Sequence, residues 1–270
     1  MKTIIKCSAA IGVLVATRGA TASPRPLPFT YPYETSAAGE LELELYGDMT
    51  PLRVAANGAN RLWEPAYQLQ NEIEYGVSDR VELGFYQVFA ANPVEGGSNA
   101  MTFDGFKWRV RARLAEAGDW PVDVALYLEL ETLHDEAALE EKLILARRFG
   151  AWHWMANLWV EQSEHRPFDP QQHSFHFVLN PTMGLTYQVA AWFEPGLEYW
   201  ARGEIGTRGD SPVDEINNRV HHFLGPTVHF DFGKLWWSAG IYADLNNTGT
   251  PQAGEIYGPV WARSVLGLNL

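Results

Sequence analysis

Lys107, Arg109, Arg111 and Arg113 take every second position of FKWRVRARL. Alternate side chains of an extended chain leave by the same face, so these four cations form one row. Acids stand in the runs on either side. Glu72, Glu74 and Glu82 lie in EIEYGVSDRVELGFY, Asp123 and Glu129 follow AEAGDWP, and Lys142 lies in the run beyond. Residues of this kind handle ions. A wall of charge tunes which ions pass along it. The same row can instead be half of a ladder of ion pairs that narrows a passage. The ladder is the better reading, because the flanking runs supply the acids. A surplus of acid elsewhere on that face would favour cations in any open path.

Bond-making chemistry has little support. No Gly-x-Ser-x-Gly elbow, phosphate loop, dinucleotide fingerprint or His-Glu-x-x-His occurs. A barrel-borne lipid hydrolase needs Ser and His on neighbouring outward positions. His222 shares parity with Val220, Leu224 and Val228, but the run 191–202 has no Ser, and Ser238 takes the parity opposite Leu235, Trp237 and Ile241. No catalytic residue is expected. His165, His173 and His176 lie near one polar stretch with Glu164 and Asp169, whereas His221 and His229 stand eight residues apart, too far to share an ion. These read as solvated loop and strand-end histidines, so no metal and no other cofactor is expected.

The elements that must position the charges also alternate. Within 72–86, Ile73, Tyr75, Val81, Leu83 and Phe85 share one face, while Glu72, Glu74, Glu82 and Tyr86 share the other. Period two is the mark of a strand with one apolar side. Twelve such runs are expected, near 39–47, 62–76, 80–91, 103–115, 121–134, 138–149, 151–163, 173–188, 191–202, 217–231, 234–245 and 256–270. DEAALEEKLILARRF has helical propensity, yet Leu139, Leu143, Leu145 and Phe149 share one parity, so a strand is expected there too. Short turns at GVSDR, AEAGDWP, FGA, QVAA and DFGK alternate with longer links such as GDMTPLRVAANGAN and RGEIGTRGDSPVDEI, and only the link near DEA breaks the rule. Outer-membrane barrels show this pattern, with short periplasmic turns and long outer loops.

Which face looks outward decides the solvent. An apolar face turned inward could be buried by a flattened sandwich. Yet about eight strands already give a barrel that side chains fill, and twelve enclose more. An apolar face turned outward meets lipid and leaves the charged face around a wet lumen. The abundance of Trp, 11 residues, suits the interfacial girdles of that arrangement. The expectation is therefore an all-β fold, a single antiparallel up-and-down transmembrane β-barrel of about 12 strands over 39–270. Centring the fourth hairpin near residue 118 pairs Arg113 with Asp123 and Lys107 with Glu129, sets Glu82 beside Arg113, and puts Glu74 opposite Glu82.

The flanks fit export. Lys2 and Lys6 precede an apolar stretch that ends at Ala20-Thr21-Ala22, the pattern of a signal peptide over 1–22. Residues 23–38 are irregular and rich in proline, and could plug a barrel. No later stretch holds 18 consecutive apolar residues, so a membrane-spanning chain of this kind must span with strands. Of 20 Lys+Arg and 33 Asp+Glu, the leader takes three bases and no acid, which leaves a net charge of −16. Such a protein has no attraction for nucleic acid. The one cysteine, Cys7, lies in the leader, so no disulfide framework holds the fold. Leu266, Leu268 and Leu270 give an amphipathic final strand. It resembles the terminal signal read by barrel-assembly machinery, although that signal usually ends in Phe.

YGVSDRVELGFY with the descending run FKWRVRARL, GELELELY near the mature start and FEPGLEYW at 193–200 together resemble a group of bacterial outer-membrane transporters. That group includes the family named for the meta-pathway of phenol degradation. The resemblance implies a channel or transporter barrel for small solutes in outer-membrane lipid. It brings no catalytic residues. The alternatives are a structural or surface-interaction barrel with a blocked lumen, and a soluble periplasmic β-protein.

Overall fold

A computed structural model describes residues 25–55, 61–92, 100–165, 173–208, 220–246 and 257–270. The expected signal peptide, 1–22, lies outside the described residues, as does Asp169.

Thirteen strands follow in chain order: β1 (Leu41–Ala55), β2 (Arg61–Ser78), β3 (Val81–Ala91), β4 (Thr102–Arg113), β5 (Asp123–Leu133), β6 (Glu136–Phe149), β7 (Trp152–His165), β8 (Ser174–Leu179), β9 (Thr182–Tyr187), β10 (Phe193–Arg208), β11 (His221–Asp231), β12 (Leu235–Asp244) and β13 (Val260–Asn269). β8 and β9 both pair with β7 and with β10. They are one strand position, interrupted at Asn180–Pro181, where proline brings no N–H to the ladder. The thirteen segments thus fill twelve positions of an antiparallel ring, which β1 closes against β13. No helix occurs among the described residues. The helical propensity of DEAALEEKLILARRF yields to ladders on both sides of β6.

Closure turns the two parities into an outside and an inside. Ile73, Tyr75, Leu83, Trp108, Leu126, Leu128 and Leu130 are exposed, while Glu72, Glu74, Glu82, Tyr86 and Arg109 between them are buried. Outward aromatic residues gather at the short-turn end. Trp152 packs edge-on against Tyr187, and Trp192 stacks on Phe193 and Phe230. Phe103, Phe106 and Phe89 form a similar group at the long-loop end. The tight turns between β6 and β7 and between β11 and β12 carry Gly150 and Gly233 at φ 62° and 89°. A side chain would strain both positions.

Several boundaries and pairings differ from expectation. β1 runs on through Asp48–Ala55, into the stretch read as a loop, and is paired with β2 along its whole length. β10 likewise runs to Arg208 rather than ending at 202. Arg113 lies opposite Ala125, not Asp123, and Lys107 lies opposite Glu131, not Glu129. Glu82 faces Arg111 rather than Arg113, and Glu74 faces Gly84 rather than Glu82. The cause is in the turns and in register shifts. The β4–β5 connection is centred one residue later than 118, the β2–β3 ladder shifts register between Gly76 and Ser78, and the β3–β4 ladder shifts between Val88 and Phe89. A hairpin centre displaced by one residue moves each partner by two, so partners change while faces do not.

The sequence leaves open whether the N-terminal flank plugs the barrel. Residues 25–38 form no strand and lie inside the ring, bonded to the inward side chains of Glu198, Asn157 and Glu82. Arg25, Leu27, Phe29, Tyr31 and Tyr33 are all buried.

Candidate functional site

The inner wall carries two unlike surfaces. One spans β1 to β6 and is charged. Arg109 on β4 is its centre. Its Nε donates to Glu72 at 2.8 Å, and its two terminal nitrogens reach Glu82 and Glu74. All four side chains are essentially removed from solvent. Arg111 adds a bond to Glu82 at 2.9 Å. The guanidinium fits because Gly84 faces it. A Cβ there would lie 2.5 Å from Glu72 and 2.7 Å from Arg109. Farther round, Lys107 reaches Glu131 at 2.9 Å and Glu129 at 3.4 Å, and Lys142 pairs with Glu140. Lys142 also sits 3.9–4.2 Å above the rings of Trp159, Tyr127 and Tyr31. Desolvated cations gain from such faces.

The second surface spans β10 to β13 and is aromatic. Trp200 and Phe223 stack at 3.9 Å, with Tyr242, Tyr257 and Trp261 around them. Charge here comes in separate pairs. Arg263 grips Asp48 at 2.8 and 2.9 Å, Arg202 grips Glu161 at 3.0 and 2.8 Å, and His221 meets Asp244 at 2.9 Å.

Segment 25–38 joins the two surfaces. Phe29 stacks on Trp200 at 4.4 Å with the Arg263 guanidinium 3.8 Å from its ring. The N–H groups of Phe29 and Thr30 donate to Glu198 at 3.0 and 2.6 Å. Asn157 accepts from the Tyr31 N–H at 2.7 Å and donates to the Tyr31 carbonyl at 3.1 Å. Its carboxamide thus stands in for a neighbouring strand, and a buried backbone needs such partners. On the charged side Arg111 donates to the Pro32 carbonyl at 3.3 Å, and the Ser36 N–H donates to Glu82 at 2.8 Å. Leu27 lies over Gly184, where a Cβ would come within 2.4 Å of it.

The ten residues read from sequence as lining a lumen divide accordingly. Glu72, Glu74, Glu82, Arg109 and Arg111 form one network. Lys107, Glu129 and Lys142 belong to the second group, which Glu131 and Glu140 complete. Arg113 stands apart, donating to Thr35 at 3.0 Å and to Glu116 at 3.3 Å near the short-turn rim. Asp123 accepts from the Gly118 N–H at 2.6 Å and shapes the turn. Sequence reasoning did not single out Glu42, Glu44, Asn157 or Glu198 as site residues. Their inward parity was readable, but only the path of segment 25–38 and the ring closure give them partners. His165 and His176 pack ring against ring with centroids 4.5 Å apart, while the other inward histidines stand separately: His221 meets Asp244 and His229 meets Ser238 at 2.8 Å. His222, on the outer side, meets the Tyr199 hydroxyl at 2.6 Å.

An outer membrane channel from Pseudomonas putida F1 superposes with a TM-score of 0.63, covering 88% of this chain and 98% of that one. The fold is that of outer-membrane channels. The identity is 10%. The NanC porin superposes with a TM-score of 0.56 at 8% identity, covering 84% of this chain and 100% of that one. No family model matches the chain, and no curated protein matches it.

Proposed function

We propose that this chain is an outer-membrane barrel for small solutes and that residues 25–38 hold it closed in the conformation described. The observation that carries the reading is an inner wall rich in polar side chains around a segment that forms no strand of the ring. A ring of twelve strands has room that its own side chains do not fill. The segment takes that room, and it contributes no strand to the ring. With the segment withdrawn, Glu82, Arg111, Asn157 and Glu198 would line a water-filled path. The exposed apolar face and its aromatic groups support a lipid surround, with assembly machinery as a partner during biogenesis. The fold likeness to a channel supports passage rather than catalysis. Membership of the phenol meta-pathway family remains our reading of the short motifs. The acid surplus of the chain implies a mild cation preference in the open state.

The number of bonds that pin the segment favours a second reading, a permanently blocked barrel that acts through its loops. Planar-bilayer recording separates the two. The mature chain should be nearly silent, and a chain lacking 23–38 should give discrete cation-preferring steps. A deletion that folds, judged by heat-modifiable gel mobility, yet stays silent overturns the channel reading.

A further inference from the structure

The carboxylates of Glu42, Glu44 and Glu74 converge on the inner wall of β1 and β2. One oxygen from each lies within 4.8 Å of the others. Two oxygens bound to one calcium ion at about 2.4 Å can be at most about 4.8 Å apart, so the spacing meets the geometric limit. Convergence of acids alone says little, and a second trio makes the contrast. Glu129, Glu131 and Glu140 converge equally, but Lys107 and Lys142 touch them. In the first trio Glu74 is held by Arg109, with Arg111 at 3.9 Å, but Glu42 and Glu44 have no cationic side chain in ion-pair contact among the described residues.

One acceptor in the first trio lacks a donor, and a second shares one with Glu72. Glu42 is fully buried, and its Oε1 takes the Trp236 indole N–H while its Oε2 has no hydrogen-bond partner. Tyr46 contacts both Glu44 and Glu72, yet a hydroxyl has one proton to give. The Tyr46 oxygen is already an acceptor for Arg25 at 2.9 Å. Charge points the same way. Five buried carboxylates, Glu42, Glu44, Glu72, Glu74 and Glu82, face three guanidinium groups, those of Arg25, Arg109 and Arg111. Two negative charges are left over. Arg25 makes no ion pair with these carboxylates, and its guanidinium carbon sits over the Tyr31 ring, 3.6 Å from the centroid.

We infer that Glu42, Glu44 and Glu74 bind a hard divalent cation of the calcium class. One such ion supplies the two missing charges and gives the unpaired Glu42 Oε2 a partner. An all-oxygen, all-carboxylate set suits calcium, which tolerates irregular geometry, better than magnesium, which keeps its waters. The site is independent of whether the barrel conducts.

The test uses the full mature protein, refolded in detergent with calcium and then passed through a desalting column. Elemental analysis should find about one calcium per chain. Terbium refolded in its place should luminesce on tryptophan excitation, because Trp236 touches Glu42, and calcium should suppress the signal. Glu42→Gln keeps the shape and should lower the bound calcium at least tenfold, while Glu129→Gln should leave it unchanged. Gel mobility confirms that each variant is folded. Folded wild-type protein without calcium would mean that protons neutralise the cluster, and the inference fails. Equal binding by folded Glu42→Gln would also overturn it.

Discussion

The charged and aromatic sides of the interior solve the same problem in opposite ways. Each must fill space that twelve strands leave open. The charged side does so with directional contacts, in which Arg109 serves three carboxylates from β2 and β3. The aromatic side does so by area, with Phe29 laid on Trp200 and Trp200 on Phe223. Most directional contacts of the charged side hold the wall to itself, and only single bonds such as Arg111–Pro32 and Ser36–Glu82 reach the segment. The stacked surface holds the segment to the wall by area. The barrel and its occupant should therefore fail separately.

The sharpest test of that separation is Arg109→Met. It leaves three buried carboxylates without their main partner, and breaking a buried ionic group costs about 3–5 kcal/mol. The folded band on unheated gels should weaken and the unfolding temperature should fall. Phe29→Ala, on the other side, removes a large buried ring at about 3 kcal/mol. That loss should fall on the segment alone. Proteolysis should clip 25–38 while the unfolding temperature of the barrel stays within a few degrees of wild type. A matching fall in barrel stability would erase the distinction.

Smaller changes sharpen it. Gly84→Ala pushes a methyl into the Arg109–Glu72 pair and should cost about 1–3 kcal/mol of barrel stability by overpacking, measured by denaturant titration. Asn157→Ala removes two bonds to Tyr31 and should loosen the segment by about 1–2 kcal/mol, read as faster hydrogen exchange at the Tyr31 amide.

The sequence made one side far more legible than the other. Alternation in FKWRVRARL and EIEYGVSDRVELGFY assigns Arg109, Glu72 and Glu82 to one face, and that assignment needs only period two. Which acid meets which base depends on turn centres and on the register shifts at Gly76/Ser78 and Val88/Phe89, which have no mark in composition. Period two with assumed turn centres therefore sets Arg113 against Asp123 and Glu82, whereas Arg109 and Arg111 hold the acids of β2 and β3. The aromatic side was harder. Trp200, Phe223 and Tyr242 occupy inward positions in runs whose tryptophans otherwise suggest a lipid girdle. Residue type could not separate the two uses, because the partner of Trp200 is Phe29, from a different part of the chain. The proline content of 23–38 explains its irregularity and leaves its location open.

The seam between β1 and β13 has a consequence for the order of folding. Thr50 on β1 bonds to Val260 across 210 positions of sequence, so the ring closes through one of its most distant pairings. Such pairings are slow to form. The segment that ends inside the ring precedes β1, and its partners Glu82, Asn157, Glu198 and Ser238 come from four separate strands. A nascent sheet that curls around these first residues would meet a side-chain partner at each stage, before the seam exists. The occupant then doubles as a mandrel, a form on which the cylinder is wound.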